Sequence, residues 1–124
     1  MIPIETDEAP RPAGPYSQGV IAGNIVFVSG QIPMDPVNGN MPVTIGEQTL
    51  LALSNLKAIL DASNVKDSNI VSVTVYLSNI GDFPLMNSVY EKFFKKPYPA
   101  RSCVGVAALP KGSKIMIDAV GLIE

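Results

Sequence analysis

Arg101, Cys103 and Gly105 recur at every second position of the run P-A-R-S-C-V-G-V-A-A-L-P between Pro99 and Pro110. In an extended strand that spacing puts a guanidinium, a thiol and an open glycine on one face, with Ser102, Val104 and Val106 on the other. Arginine rather than lysine suits bidentate capture of a carboxylate or phosphate. An arginine at the mouth of an apolar run needs an anion to meet it, either a carboxylate of the protein or one belonging to a ligand. Residue types alone leave these two alternatives even.

Cys103 is the only cysteine, and the chain has no histidine. A cysteine nucleophile would lack its usual base, so a small packing residue is the better reading of Cys103, with Arg101 close enough to lower its pKa somewhat. Zinc has no usual ligand set within one such chain. Acid–base chemistry must then fall to carboxylates, Tyr, Lys, Cys or a water held by backbone groups. Asp118 is the carboxylate that stands out, because it interrupts the apolar strand Ile115 to Val120. Alternation sends Ile115, Ile117 and Ala119 one way and Met116 and Asp118 the other. Asp118 is either the partner of Arg101 or a general base. Tyr16, within G-P-Y-S-Q, and Ser29-Gly30, where glycine lets a ligand approach the backbone, complete the candidates.

The elements that must position these residues follow from pattern. Residues 1–18 are rich in Pro and Gly and are expected to run as an extended arm. Gly23-Asn24 between two short apolar runs, Val20 to Ala22 and Ile25 to Ser29, signals a hairpin. Pro33, Asp35-Pro36, Asn38-Gly39 and Pro42 mark a loop. Thr44 and Glu47 fit a capping box that opens a helix with Leu50, Leu53, Leu56 and Leu60 on its stripe, ending near Ser63-Asn64. A strand over Ile70 to Leu77 follows. Asp82 is the expected N-cap of a second helix, whose stripe of Met86, Val89, Tyr90, Phe93 and Phe94 reads as core packing. Strands over 101–108 and 114–122 close the chain. The order β-β-α-β-α-β-β predicts a two-layer α+β sandwich, one mixed sheet with both helices on one face. Strand 101–108 is apolar on both sides, as a doubly buried strand would be, and nothing in the chain is left to cover it.

Composition narrows the class. The 124 residues are expected to form one domain, residues 1–124. Hydrophobic residues make up 47% and charged residues 16%, an excess that points to a buried subunit interface. A net charge of −2 argues against binding to nucleic acid, and Lys92, Lys95, Lys96, Lys111 and Lys114 are scattered. The chain has no membrane span, and its acidic, Pro-containing N-terminus is no signal or transit peptide, so a soluble cytoplasmic protein is expected.

Taken in order, G-P-Y-S-Q at 14–18, S-G-Q-I-P at 29–33, N-x-x-Y-x-x-F-F at 87–94 and P-A-R-S-C-V-x-V-A-x-L-P at 99–110 resemble the RidA/YjgF family of reactive intermediate deaminases. The resemblance spans essentially the whole chain. It implies a chorismate-mutase-like fold, a homotrimer with clefts between subunits, and cofactor-independent hydrolysis of 2-imino acids to 2-keto acids and ammonia. Free imines are already electrophilic, so neither a Schiff-base lysine nor a metal is required. By the same resemblance Arg101 would hold the substrate carboxylate, and Ser29, Gly30 and the main chain at Cys103 would line the cleft. Tyr16 would close over the ligand, and Asp118 would stand where the family usually has a water-activating Glu, one methylene longer. The alternatives are an endoribonuclease or translation inhibitor, and a non-catalytic carboxylate-binding or chaperone-like trimer.

Overall fold

The computed structural model describes residues 1–66 and 69–124. Its strands are β1 (Ile2–Ile4), β2 (Gly19–Ala22), β3 (Ile25–Gln31), β4 (Ile70–Leu77), β5 (Ala100–Gly105) and β6 (Ile115–Leu122). The helices are α1 (Ile45–Ala62) and α2 (Phe83–Phe93), with short 3-10 turns at Ile80–Asp82 and Pro110–Gly112. The six strands form one sheet in the order β1-β2-β3-β6-β4-β5. All neighbours run antiparallel except β4 and β5, which are parallel. The mixed sheet and its two helices agree with the expected α+β sandwich.

The hairpin forms where Gly23-Asn24 placed it. Ala22 lies opposite Ile25, and Gly23 takes a φ of +63°, which glycine adopts without strain. The extended arm contains one more strand than expected: β1 pairs with β2, and Pro3 is tolerated because β1 is the sheet edge. Gln18, 2% exposed, ties the rest of the arm down. Its Oε1 accepts from the Thr6 amide at 2.8 Å, and its Nε2 donates to the carbonyls of Thr6, Ala9 and Pro10.

Helix α1 opens as expected. The Thr44 hydroxyl accepts from the Glu47 amide and donates to the Glu47 carboxylate. It closes at Ala62, with Asn64 in the left-handed region at φ +62°. Its buried face is Ala52, Leu53, Leu56, Ile59 and Leu60. Leu50 falls off that face and is exposed, contrary to the stripe read from leucine spacing. For α2, the Asp82 side chain makes no cap hydrogen bond. The Asn79 side chain instead accepts from the Gly81 amide and starts the preceding turn. Met86, Tyr90 and Phe94 are buried in the core, as the stripe required.

Val26 and Val28 of β3, Val73, Val75 and Leu77 of β4, and Ile115, Ile117 and Ala119 of β6 make up the sheet's side of the core. The opposite sheet face has no cover from the described residues. Ile25, Phe27 and Val104 are exposed on it, with Met116 and Val120 half-buried beside them. Strand β5 differs from its expected form. It ends at Gly105 rather than at 108, it is an edge strand, and Val104 is 42% exposed, so within one chain it is not buried on both faces.

Candidate functional site

Strand register decides which candidates can meet. Arg101 of β5 lies opposite Val73 of β4, which in turn lies opposite Ala119 of β6. Asp118 lies opposite Thr74, which faces Ser102. Arg101 and Asp118 therefore point to opposite faces of the sheet, and Asp118 is not the intrachain partner of Arg101. The candidates separate into two half-sites.

The first half-site is built on β5 and α2. Arg101 Nη1 donates to Oδ1 of Asn87 at 2.8 Å. The guanidinium carbon lies 4.6 Å from the centroid of the Tyr90 ring and 5.4 Å from that of Phe83, a cation–π arrangement on both rings. Phe83, Asn87 and Tyr90 are spaced i, i+4 and i+7 on α2, so one helix face supplies all three. A cavity of about 580 Å³ opens here, lined by Arg101, Asn87, Tyr90, Lys96, Tyr98 and Pro99 among others. Cys103 shares the Arg101 face, as alternation predicts, and packs half-buried against the core. Burial pushes its thiol above the ordinary value, and the charge of Arg101 offsets only part of that. At neutral pH it is a protonated thiol, a wall rather than a nucleophile, and Arg101 does not activate it as the sequence allowed.

The second half-site is built where β3 bends against β6. Val28 lies opposite Ala119 and Gln31 opposite Ile117, so Ser29 and Gly30 together face the single residue Asp118. This is a β-bulge, which re-aims side chains near sites. The Ser29 hydroxyl donates to the Ser17 carbonyl at 2.6 Å and so joins the bulge to the G-P-Y-S-Q segment. Asp118 Oδ2 accepts from the Tyr76 hydroxyl at 2.9 Å. That bond, with some burial and the carboxylate's negative charge, raises the pKa of Tyr76. A Cβ on Gly30 would come within 2.7 Å of the Met116 sulfur, so a larger residue there would displace the Met116 side chain. Tyr16 is 53% exposed, and its hydroxyl accepts from the Ala13 amide at 3.4 Å. Tyr16, Gly30 and Lys111 line a small cavity of about 90 Å³.

The sequence singles out Arg101, Cys103, Asp118, Tyr16, Ser29 and Gly30 as candidates but not the side chains that hold them. Asn87 and Tyr90 belong to the N-x-x-Y-x-x-F-F segment, yet their link to Arg101 appears only when α2 packs beside β5. Tyr76 gave no signal beyond strand alternation. Among the described residues, no group of three or more His, Cys, Asp or Glu side chains could hold a metal ion. No helix is long and apolar enough to cross a membrane.

Comparison with known proteins covers the same span as these half-sites. The family model described as Endoribonuclease L-PSP matches residues 6–123. A Dermatophagoides farinae protein named 2-iminobutanoate/2-iminopropanoate deaminase is 46% identical over 123 residues, 98% of this chain and 95% of that protein. An Escherichia coli protein of the same name is 44% identical over 122 residues, 96% of this chain and 95% of its own length. Among solved structures, Escherichia coli TdcF with bound serine superposes with a TM-score of 0.95 at 41% identity, covering 100% of both chains. RidA from an Antarctic Psychrobacter gives a TM-score of 0.94 at 38% identity, covering 97% of this chain and 98% of its own.

Proposed function

This chain belongs to the Endoribonuclease L-PSP family, the RidA/YjgF proteins, and on that premise we propose that it hydrolyses reactive 2-imino acids, such as 2-iminopropionate and 2-iminobutyrate, to 2-keto acids and ammonia without a cofactor. The observation that supports this most is the state of Arg101. Its guanidinium stands at a cavity with an amide and two aromatic rings for company and, among the described residues, no salt bridge. A small carboxylate is the anion it lacks.

The two half-sites lie on opposite sheet faces, so one substrate reaches both only if different copies of the chain supply them. The uncovered face with Phe27 and Val104 favours the same assembly, a homotrimer with its clefts between subunits. In such a cleft Arg101 of one copy holds the substrate carboxylate beside the main chain at Cys103. Ser29, Gly30 and Tyr16 of the next copy bound the reacting end. Asp118, oriented by Tyr76, takes a proton from a water as its oxygen bonds to the imine carbon and the C=N π pair moves to nitrogen. Asp118 returns that proton to the nitrogen, which gives a carbinolamine. The hydroxyl proton then passes to the same nitrogen by way of Asp118, the oxygen's electron pair forms the C=O bond as the C–N bond breaks, and ammonia leaves the 2-keto acid. Imine and water are consumed in equal number, and no oxidant or metal enters.

The test generates 2-iminopropionate with an amino acid oxidase and traps the surviving imine with semicarbazide. Wild type should lower the trapped fraction steeply, and Arg101→Ala should not. Equal trapping with and without wild-type protein would overturn the reading. A second reading, RNA cleavage, has the description of the family and the exposed Lys92, Lys95 and Lys96 in its favour. Steeply salt-dependent RNA binding, together with cleavage lost in a lysine-substituted variant, would promote it.

A further inference from the structure

We propose that Asn87 is a positioning residue whose neutrality keeps the charge of Arg101 available to the ligand. The inference rests on the reading that Arg101 binds the substrate carboxylate. A half-buried arginine is ordinarily met by a carboxylate of its own protein, because a charged partner offsets the cost of leaving water. Among the described residues its side-chain partners are neutral, Oδ1 of Asn87 at 2.8 Å, the Tyr90 ring at 4.6 Å and the Phe83 ring at 5.4 Å, and Glu91, which lines the same cavity, makes no salt bridge with it. Asp is nearly isosteric with Asn and would make the stronger, charge-assisted bond from the same helix position. It would also fill the electrostatic role reserved for the substrate.

The geometry fits that division of labour. A guanidinium has five N–H donors in a rigid plane. The Asn87 bond engages one of them and fixes rotation about the plane's normal. The two rings restrain the plane itself. The remaining donors are left for a bidentate carboxylate in the adjoining cavity of about 580 Å³. The Tyr90 hydroxyl strengthens the case, because it is buried without a hydrogen-bond partner. Tyr90 is kept there for its ring face, not for a bond from its hydroxyl. Asn87, Tyr90 and Phe83 together orient the cation and leave it uncompensated.

The experiment compares wild type, Asn87→Asp, Asn87→Ala and Arg101→Ala, each as the full chain. Pyruvate binding is followed by calorimetry, imine hydrolysis by steady-state kinetics, and folding by thermal melting. Asn87→Asp should melt at or above the wild-type temperature while KM and the pyruvate Kd rise by about tenfold or more, with kcat nearly unchanged. Asn87→Ala keeps the charge but loses the alignment, so KM should rise by a smaller factor. Pyruvate binding by Asn87→Asp within about twofold of wild type, with Arg101→Ala deficient, would overturn the role of neutrality alone. Should the aspartate variant not fold, Asn87→Ala decides: a fall in kcat at unchanged KM overturns the proposal. Equal pyruvate binding by wild type and Arg101→Ala would instead remove the carboxylate reading on which it rests.

Discussion

Arg101 and Asp118 stand on opposite faces of the same sheet, set there by a register that aligns Arg101 with Val73 and Asp118 with Thr74. No rotamer brings a guanidinium through a sheet whose core side is filled by Val73, Val75, Ile117 and Ala119. A mechanism that uses both residues must therefore join two copies of the chain.

Mixing two inactive variants tests this directly. Arg101→Ala and Asp118→Asn should each be nearly inactive in the imine-trapping assay. Unfolded together and refolded as an equimolar mixture, they should regain about a quarter of wild-type activity, the share of clefts that pairs one intact half-site with the other at random. A mixture no more active than its parents would mean that the site does not span subunits.

The uncovered sheet face should be an association surface. Val104→Asp places a charge at the exposed apolar side chain of β5, on the face opposite the helix-packed core. The expected result is a lower mass by sedimentation equilibrium with secondary structure retained by circular dichroism. An unchanged mass would show that this face is not where copies meet.

Gly19 tests the close packing of the arm's sheet. A Cβ there would lie 2.9 Å from the Phe27 carbonyl oxygen and 3.1 Å from both Ile4 Cδ1 and Ile59 Cγ2. The carbonyl is held in the ladder between β2 and β3 and cannot retreat cheaply. Gly19→Ala should cost about 1–3 kcal/mol, read as a lower urea midpoint at unchanged slope.

Alkaline stability should depend on Tyr90. Burial pushes its phenol from the ordinary 10.0 up to about 12, against a smaller opposing pull from the charge of Arg101. A folded pKa above the unfolded one contributes stability that is full below pH 10 and lost as pH rises toward 12. Tyr90→Phe keeps the ring over Arg101 and deletes a hydroxyl that had no partner. Its melting temperature should fall less than wild type between neutral pH and about pH 11. Parallel losses in the two proteins would contradict this.

What could be read beforehand was mostly local. The Gly23-Asn24 turn, the Thr44–Glu47 cap and the Met86–Tyr90–Phe94 stripe each announce themselves within a few residues, and each element formed where expected. Strand β1 did not, because three residues with a proline are too few to show alternation. The place of β5 at the sheet edge, parallel to β4, depends on strand order, which no short window encodes. The same holds for the site. Arg101 and Asp118 were conspicuous as charges in apolar runs, but their separation by the sheet, the Asn87 bond and the Ser29-Gly30 bulge opposite Asp118 are properties of pairing.

The Gln18 amide sets how the Tyr16 segment can move. One buried side chain fastens Thr6, Ala9 and Pro10, and the Ser29–Ser17 bond pins the chain on the other side of Tyr16. While these bonds hold, motion of Tyr16 is confined to the stretch between Pro10 and Ser17. To release it, the arm must open together with β2, as one cooperative unit, so the Thr6 amide should exchange with solvent as slowly as the strand it guards.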